Sequence, residues 1–459
     1  MSLVLSCYEF LFCIFTVMIT IVGAGLAGSL MAVYLAKKGY SVEIYERRPD
    51  MRINNWERGR SINLAISQRG IHALEQVGLW QDILKIAIPM RGRMIHDRQK
   101  NLTFQPYGIH ENEVIYSVSR SALNIALMNA AEALGVKIYF HYRCTNIEKY
   151  DSHVNLHFWH ETENKEIQHS AKVVIGADGA FSAVRQNTFK LERFNYSQTF
   201  LDWGYKELTI PAGENGTFQI EKNALHIWPR HDYMLIALPN TDGSFTCTLF
   251  LPFEGETSFE NIATDAQINE FFETHFPDAK ALIPQLVQEY KANPVSTLVY
   301  IQCSPWYYKD KIALIGDACH AIVPFYGQGA NASFEDCFVL QSIIDKYPNE
   351  WDKIFKEYHV ARKQNADAIC QLALQNFVEM QSKVADKKFL LRKQIEQKLY
   401  EKYGDKFTPQ YNLVTHTNIP YSEALRIGQM QDKFLHELAN QINDISELNL
   451  ERIQIPELN

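Results

Sequence analysis

The chain has 459 residues, 46% hydrophobic and 21% charged, a globular composition that excludes a wholly disordered or coiled-coil protein. At roughly 150 residues per domain, two or three domains and a substantial core are expected. A formal charge of −8 offers no basic surface for neutralising phosphates, so a nucleic-acid partner is disfavoured.

The first feature in chain order is an apolar run, Phe10 to Val22, too short to span a bilayer. It has no Lys or Arg ahead of it and no small-residue cleavage site behind it, so it does not read as a secretory signal. Ile19 to Val22 is predicted to be a buried strand. Residues 1–17 are then expected to be a non-essential extension ahead of Met18.

Gly23-Ala-Gly-Leu-Ala-Gly28 follows as a glycine turn, then a helix over Leu30 to Lys38 closed by Gly39, then a strand over Val42 to Glu46. Gly23, Gly25 and Gly28 form G-x-G-x-x-G, with Glu46 closing the next strand. Glycine there permits a tight turn and close approach of a pyrophosphate to a helix N-terminus, and the acid accepts from ribose hydroxyls. NAD and FAD both satisfy this pattern. Helices are predicted over Gln68 to Val77 and Ser121 to Leu134, and strands over Val136 to Phe140 and Val173 to Ile175. This alternation implies a mainly parallel, doubly wound sheet.

Between about Phe200 and Leu298 the pattern becomes antiparallel β, with strands at Ala224 to Pro229, Tyr233 to Leu238 and Ser244 to Pro252. Met234, Ile236 and Leu238 share one face by period two, as do Thr248 and Phe250, giving an apolar wall suited to an aromatic ring. The first style returns at Lys311 to Ile315, followed by Gly316-Asp317 and a helix from near Ser333. Asp178 and Asp317 each lie at the end of a hydrophobic strand, where a parallel sheet gathers its ligands; a helix N-cap is the plainer role for either. After Asp336 the chain reads as helical, with a break from Pro409 to Pro420. On one of these helices Asn376 shares the apolar stripe of Ile369, Leu372, Phe377 and Met380, so its amide needs a partner in protein or ligand.

Eight cysteines are scattered without a C-x-x-C pair and are expected to be free buried thiols of a reducing compartment. His153, His157 and His160 split between the two faces of a strand, and no metal site is read there. His320 is read as a packing or hydrogen-bonding residue.

Three motifs in this order, the glycine turn, Val173 to Arg185 and Ala313 to His320, resemble those of the flavin-dependent aromatic hydroxylases typified by p-hydroxybenzoate hydroxylase. Gly59 to Ser67 (GRSINLAIS), Ile88 to His96 (IPMRGRMIH), Leu225 to Arg230 (LHIWPR) and Pro324 to Gly329 (PFYGQG) are similar more specifically to the kynurenine 3-monooxygenase family, over about Met18 to Gln429. The resemblance implies an α/β fold. A discontinuous Rossmann-like FAD-binding domain (18–195 and 299–340) would carry an antiparallel β substrate domain (196–298) and a C-terminal helical region (341–459) covering the active site.

It further implies FAD contacts at Gly23, Gly25, Ala27, Gly28, Tyr45, Glu46, Arg47, Arg48, Ala65, Arg120, Cys144, Asp178, Asp317, Ala330 and Asn331. Arg120 opens a helix, where its charge opposes the dipole and an anionic partner such as pyrophosphate suits it. Ala330 stands where relatives often have Met. The substrate carboxylate would be held by Arg93, Tyr107, Asn376 and Tyr411, with Leu225, Met234, Ile236, Leu238, Thr248, Phe250 and Phe325 around the ring.

The implied activity is hydroxylation of L-kynurenine ortho to its ring amine, consuming NADPH and O2, with no protein base required. A hydroxylase of another aromatic acid and a pyridine-nucleotide dehydrogenase are the alternatives. Eukaryotic members end in a hydrophobic membrane anchor. Asp432 to Asn459 is polar here, so a cytoplasmic monomer or homodimer without a stable anchor is expected.

Overall fold

Ile19–Val22 and Val42–Glu46 are buried along their whole length, and both pair in parallel in a six-stranded sheet. The computed structural model describes residues 17–53, 63–190, 192–382 and 387–456. In that sheet the spatial order is Tyr307–Tyr308, Ile312–Leu314, Val173–Gly176, Ile19–Val22, Val42–Glu46 and Lys137–Phe140, parallel except at the first pair. Ile19–Val22 is the centre from which the order runs both ways, the switch point where the carboxyl ends of parallel strands open a crevice. The apolar start of the chain is thus strand from Ile19 onward; residues 1–16 lie outside the described residues.

The first helix is Leu26–Lys37, four residues earlier than the predicted start, so Gly28 lies inside it. A Cβ on Gly28 would come 2.0 Å from the Gly23 carbonyl, which explains why a glycine sits within a helix. Gly39 ends the turn beyond the helix at φ +85°, as expected of a C-terminal glycine.

The second sheet has seven strands in the order Ser296–Ser304, Asn195–Ile210, Phe245–Pro252, Met234–Pro239, Ala224–Pro229, Gly92–His96 and Leu102–Pro106. The three predicted strands of the meander are present with the expected alternation. Two differences matter. Gly92–His96 and Leu102–Pro106 join this sheet from outside 196–298, and Gly92–His96 pairs with Ala224–Pro229 in parallel. Between Asp265 and Ala292 the chain also forms three helices; Ile268, Phe272, Ala279 and Leu286 from them, with Phe276 between the first two, fill the core behind the sheet.

That rear face holds a polar relay. His96 Nδ1 lies 2.9 Å from Asp278, its Nε2 lies 2.8 Å from His226 Nδ1, and His226 Nε2 lies 2.7 Å from the Glu221 carbonyl. Trp228 donates to the same Asp278 at 2.7 Å. Burial pushes His226 down to about 4.

The helical region is organised by Trp351–Ser382, whose first half packs on Gly329–Lys346 and whose second half carries Asn376 and Phe377. Asp336 is wholly buried between these two helices. Its Oδ1 accepts from Arg362 Nε at 2.7 Å, and its Oδ2 from the Gly316 amide at 2.9 Å and from His320. Glu335 joins Arg362 at 2.6 Å and Arg69 at 2.9 Å, and Arg69 lies 3.8 Å over the Tyr421 ring.

Removing one member of a buried ionic cluster strands the others. Asp336→Ala should therefore destabilise by roughly 3–5 kcal/mol, read as a lower urea midpoint of the holoenzyme. For His226 the folded pKa lies below the unfolded value of about 6.5. Its contribution is complete above pH 6.5 and is lost as pH falls towards 4, up to roughly 3 kcal/mol. A His226→Gln variant should show a shallower fall of Tm between pH 6.5 and 4 than the parent chain.

Candidate active site

One cavity of about 2590 Å3 runs from the carboxyl ends of the parallel strands to the seven-stranded wall and the helical region. At its first end Gly23 turns at φ +106° against Ala177, where a Cβ would meet the Ala177 carbonyl at 2.5 Å. Gly25 caps the first helix without a side-chain bond, and a Cβ there would meet nothing within 4 Å. The backbone thus leaves open space in front of unpaired helix amides, which suits a pyrophosphate.

Glu46 accepts from the Ala24 amide at 2.8 Å and from Arg48 Nε at 2.9 Å, which fixes the turn and the strand end together. Arg47 and Arg48 line the cavity beside it. Tyr45 is stacked between Tyr139 and Phe158 at 4.9 and 4.5 Å and also reaches the cavity. Cys144, Ala65, Arg120 and Ala330 line the same space, and burial pushes the Cys144 thiol up to about 12. Burial also raises Asp178, although Ser182 and the Val184 amide donate to it, so it tethers the next helix while facing the cavity. Asp317 is raised by burial against the opposing charges of Arg120 and His320.

Two expected cofactor residues are placed differently. Gly28 does not line the cavity, for the packing reason given above. Asn331 is fully buried, accepts from the Ser67 amide at 2.9 Å and donates to the Ala65 and Gly327 carbonyls, both at 2.9 Å. Its side chain joins a strand end to the Pro324–Gly329 loop. His320 is an interior hydrogen-bonding residue, as expected. The ligand atoms of Cys319, His320 and Asp336 lie within 4.8 Å of one another, but they are engaged with each other, with Arg362 and with backbone.

At the other end, register sets the geometry. Leu225 pairs with Arg93, Met234 with Phe250 and Ile236 with Thr248, so the cation and the apolar wall share one pleated surface. Leu225, Met234, Ile236, Leu238, Thr248, Phe250 and Phe325 all line the cavity. Arg93 lies 4.5 Å over the Tyr411 ring and 5.6 Å over Tyr107, and these two tyrosines stack at 5.7 Å. The neighbours that act on Arg93 among the described residues are the hydroxyls of Tyr411, Tyr107 and Tyr326, with no carboxylate among them. The Tyr107 hydroxyl, on a residue 5% exposed, faces Arg93 and Tyr411, and burial with the neighbouring Tyr411 pushes it well above the ordinary tyrosine range. Asn376 also lines the cavity and donates to the Phe325 carbonyl at 2.6 Å, which secures the loop bearing that ring.

Several residues escape the sequence reading. Phe377 stacks on Phe325 at 4.5 Å and meets Trp203 edge-on at 5.2 Å, closing the aromatic wall from the helical side. Tyr326 stacks on Tyr411 at 5.6 Å. In the sequence Phe377 is visible only as part of an apolar stripe. Tyr326 lies inside a quoted motif, but nothing local tells its ring from a core tyrosine.

The comparisons agree with this geometry. A sequence profile described as FAD binding domain matches residues 16–373. Kynurenine 3-monooxygenase from Flavobacterium johnsoniae is 51% identical over 420 residues, 92% of this chain and 93% of that protein. The Dictyostelium discoideum protein of the same name is 45% identical, with 95% of each chain covered. Among solved structures, a single-residue variant of Klebsiella pneumoniae HpxO complexed with FAD matches with a TM-score of 0.67 at 19% identity, over 85% of this chain and 96% of that one. The tetrameric form of 2-methyl-3-hydroxypyridine-5-carboxylic acid oxygenase matches at 0.65 and 19% identity, over 91% of this chain and 98% of that one. By the matched profile and by identity along nearly its whole length, the chain belongs to the FAD-binding-domain family and, within it, to the kynurenine 3-monooxygenases.

Proposed function

We propose that the chain hydroxylates L-kynurenine at the ring carbon ortho to its amine: L-kynurenine, NADPH, H+ and O2 give 3-hydroxy-L-kynurenine, NADP+ and water. The observation that carries the substrate assignment is the Arg93 guanidinium, with no carboxylate partner among the described residues and with the Tyr107 and Tyr411 hydroxyls as its polar neighbours, at one edge of an apolar aromatic wall. A half-buried cation of this kind is matched by a ligand carboxylate, and the wall by an aryl ring. Bound FAD supplies the redox and oxygen chemistry.

This chain's residues bind, orient and exclude water. Arg93, Tyr107 and Tyr411 hold the amino-acid end, with Asn376 beside them; Leu225, Met234, Ile236, Leu238, Thr248, Phe250 and Phe325 hold the ring; the helical region covers the site. FAD would be held by Gly23, Gly25, Ala27, Tyr45, Glu46 with Arg47 and Arg48, Ala65, Arg120, Cys144, Asp178, Asp317 and Ala330, all of which line the cavity. We read 18–195 with 299–340 as the FAD-binding domain, 196–298 as the substrate domain and 341–459 as the cover, with strands 92–106 bridging the first two. No helix among the described residues is long and apolar enough to cross a membrane. We place the enzyme in the cytoplasm as a monomer or homodimer, a reading supported by six described cysteines that are all free and buried.

The deciding experiment is anaerobic stopped-flow reduction by NADPH with and without L-kynurenine. L-kynurenine should accelerate flavin reduction and give the 3-hydroxy product in air; neither effect would mean a different substrate, and a colourless purified protein would mean no flavin enzyme. Arg93→Ala should raise KM for L-kynurenine about 10- to 100-fold, the loss of a charge-assisted contact of roughly 1.5–3 kcal/mol, with FAD retained. Loss of FAD from that variant would place Arg93 in the cofactor site instead.

A further inference from the structure

Glu113 lies outside every motif, yet it is 7% exposed and its carboxylate accepts three hydrogen bonds. Oε2 takes the His110 amide at 2.8 Å. Oε1 takes the Tyr400 hydroxyl at 2.6 Å and the Asn412 amide at 2.7 Å. The last two donors come from the helical region, 287 and 299 residues further along the chain. The same Asn412 Nδ2 donates to the backbone carbonyl of Tyr107 at 2.9 Å, and Asn412 is the helical neighbour of Tyr411. Gly108 makes room for this carboxylate, because a Cβ there would fall 2.0 Å from Oε2. Burial opposes ionisation of Glu113, but Tyr400, the His110 amide, Asn412 and the facing His416 together hold it below the ordinary carboxylate range.

We propose that Glu113 is a positioning residue for substrate recognition, its carboxylate fixing one half of the clamp (Arg93 on its strand and Tyr107 just past the neighbouring strand) in register with the helix-borne half (Tyr411). The role rests on the functional reading above, since it acts only through groups that hold the substrate carboxylate. Two of its three closest partners are N–H donors, one on each carboxylate oxygen, so an acceptor is needed at both oxygens. Glutamine in its place must turn an NH2 towards one of those donors, leaving the His110 amide or the Tyr400–Asn412 pair without its acceptor. Tyr107 would then lose the orientation that Asn412 gives it, while the FAD end of the cavity keeps all of its contacts.

The test is a double-mutant cycle in the full-length holoenzyme. Glu113→Gln should raise KM for L-kynurenine about tenfold with kcat within about twofold and the bound-flavin spectrum unchanged. In the Arg93→Ala background the same change should raise KM less than about twofold, because the clamp is already broken. Tyr400→Phe, which leaves two of the three donors, should shift KM in the same direction by a smaller factor and carries the test if Glu113→Gln does not fold. Equal increases in both backgrounds would reduce Glu113 to a general structural contact, and an unchanged KM in both single variants would also overturn the role. A parent enzyme that is active on L-kynurenine with unshifted variants sinks this proposal alone; a parent enzyme that is inactive on it sinks the functional reading and this role with it.

Discussion

The architecture depends on a carboxylate that no solvent reaches. Asp336 holds the Gly316 amide, and with it the turn that delivers Asp317 to the cavity; it holds His320 beneath that turn, and it anchors Arg362 of the long helix. Through Glu335 and Arg69 the same ionic cluster reaches Tyr421, whose hydroxyl donates to Gln328 at 2.8 Å in the Pro324–Gly329 loop. Hydrophobic residues of equal volume would bury as favourably, but they would fix neither distance nor direction. A buried ionic cluster trades stability for a unique arrangement, which is what a site assembled from many remote chain segments requires.

Around that anchor the cavity has two chemical environments in one enclosure. The sheet end is made of backbone, glycine and strand-end acids, where the parallel strands converge their carboxyl ends. The far end is made of side chains, with the Arg93 guanidinium set beside an aromatic and aliphatic wall and Lys393 of the helical region nearby. Trp351–Ser382 serves both, with Arg362 in the ionic cluster and Asn376 and Phe377 at the ring pocket.

Local periodicity made much of this legible. The strands flanking the glycine turn lie where their apolar runs predict, and Met234, Ile236 and Leu238 face the cavity because a pleat alternates sides every residue. What the sequence could not show is long-range pairing. Gly92–His96 reads as an ordinary short run, and its parallel partner lies more than a hundred residues away. Asn331 exposes a second limit: a motif fixes a position in the chain but not the direction of a side chain, and this amide turns towards backbone. Glu113 shows a third, since an acid in a loop is ordinarily solvated and only the fold brings Tyr400 and Asn412 to it.

The register of Leu225 against Arg93 also has a metric consequence. Neighbouring positions along a strand are separated by about 3.3 Å and alternate faces, so sliding the anchor by one residue would carry it through the sheet to the opposite side. The spacing between the cation and the ring wall can therefore change only in double steps of about 7 Å. That is coarser than the length of one methylene. The wall therefore acts as a fixed gauge of length: the distance from the cation to the apolar surface is set by strand register rather than by side-chain reach.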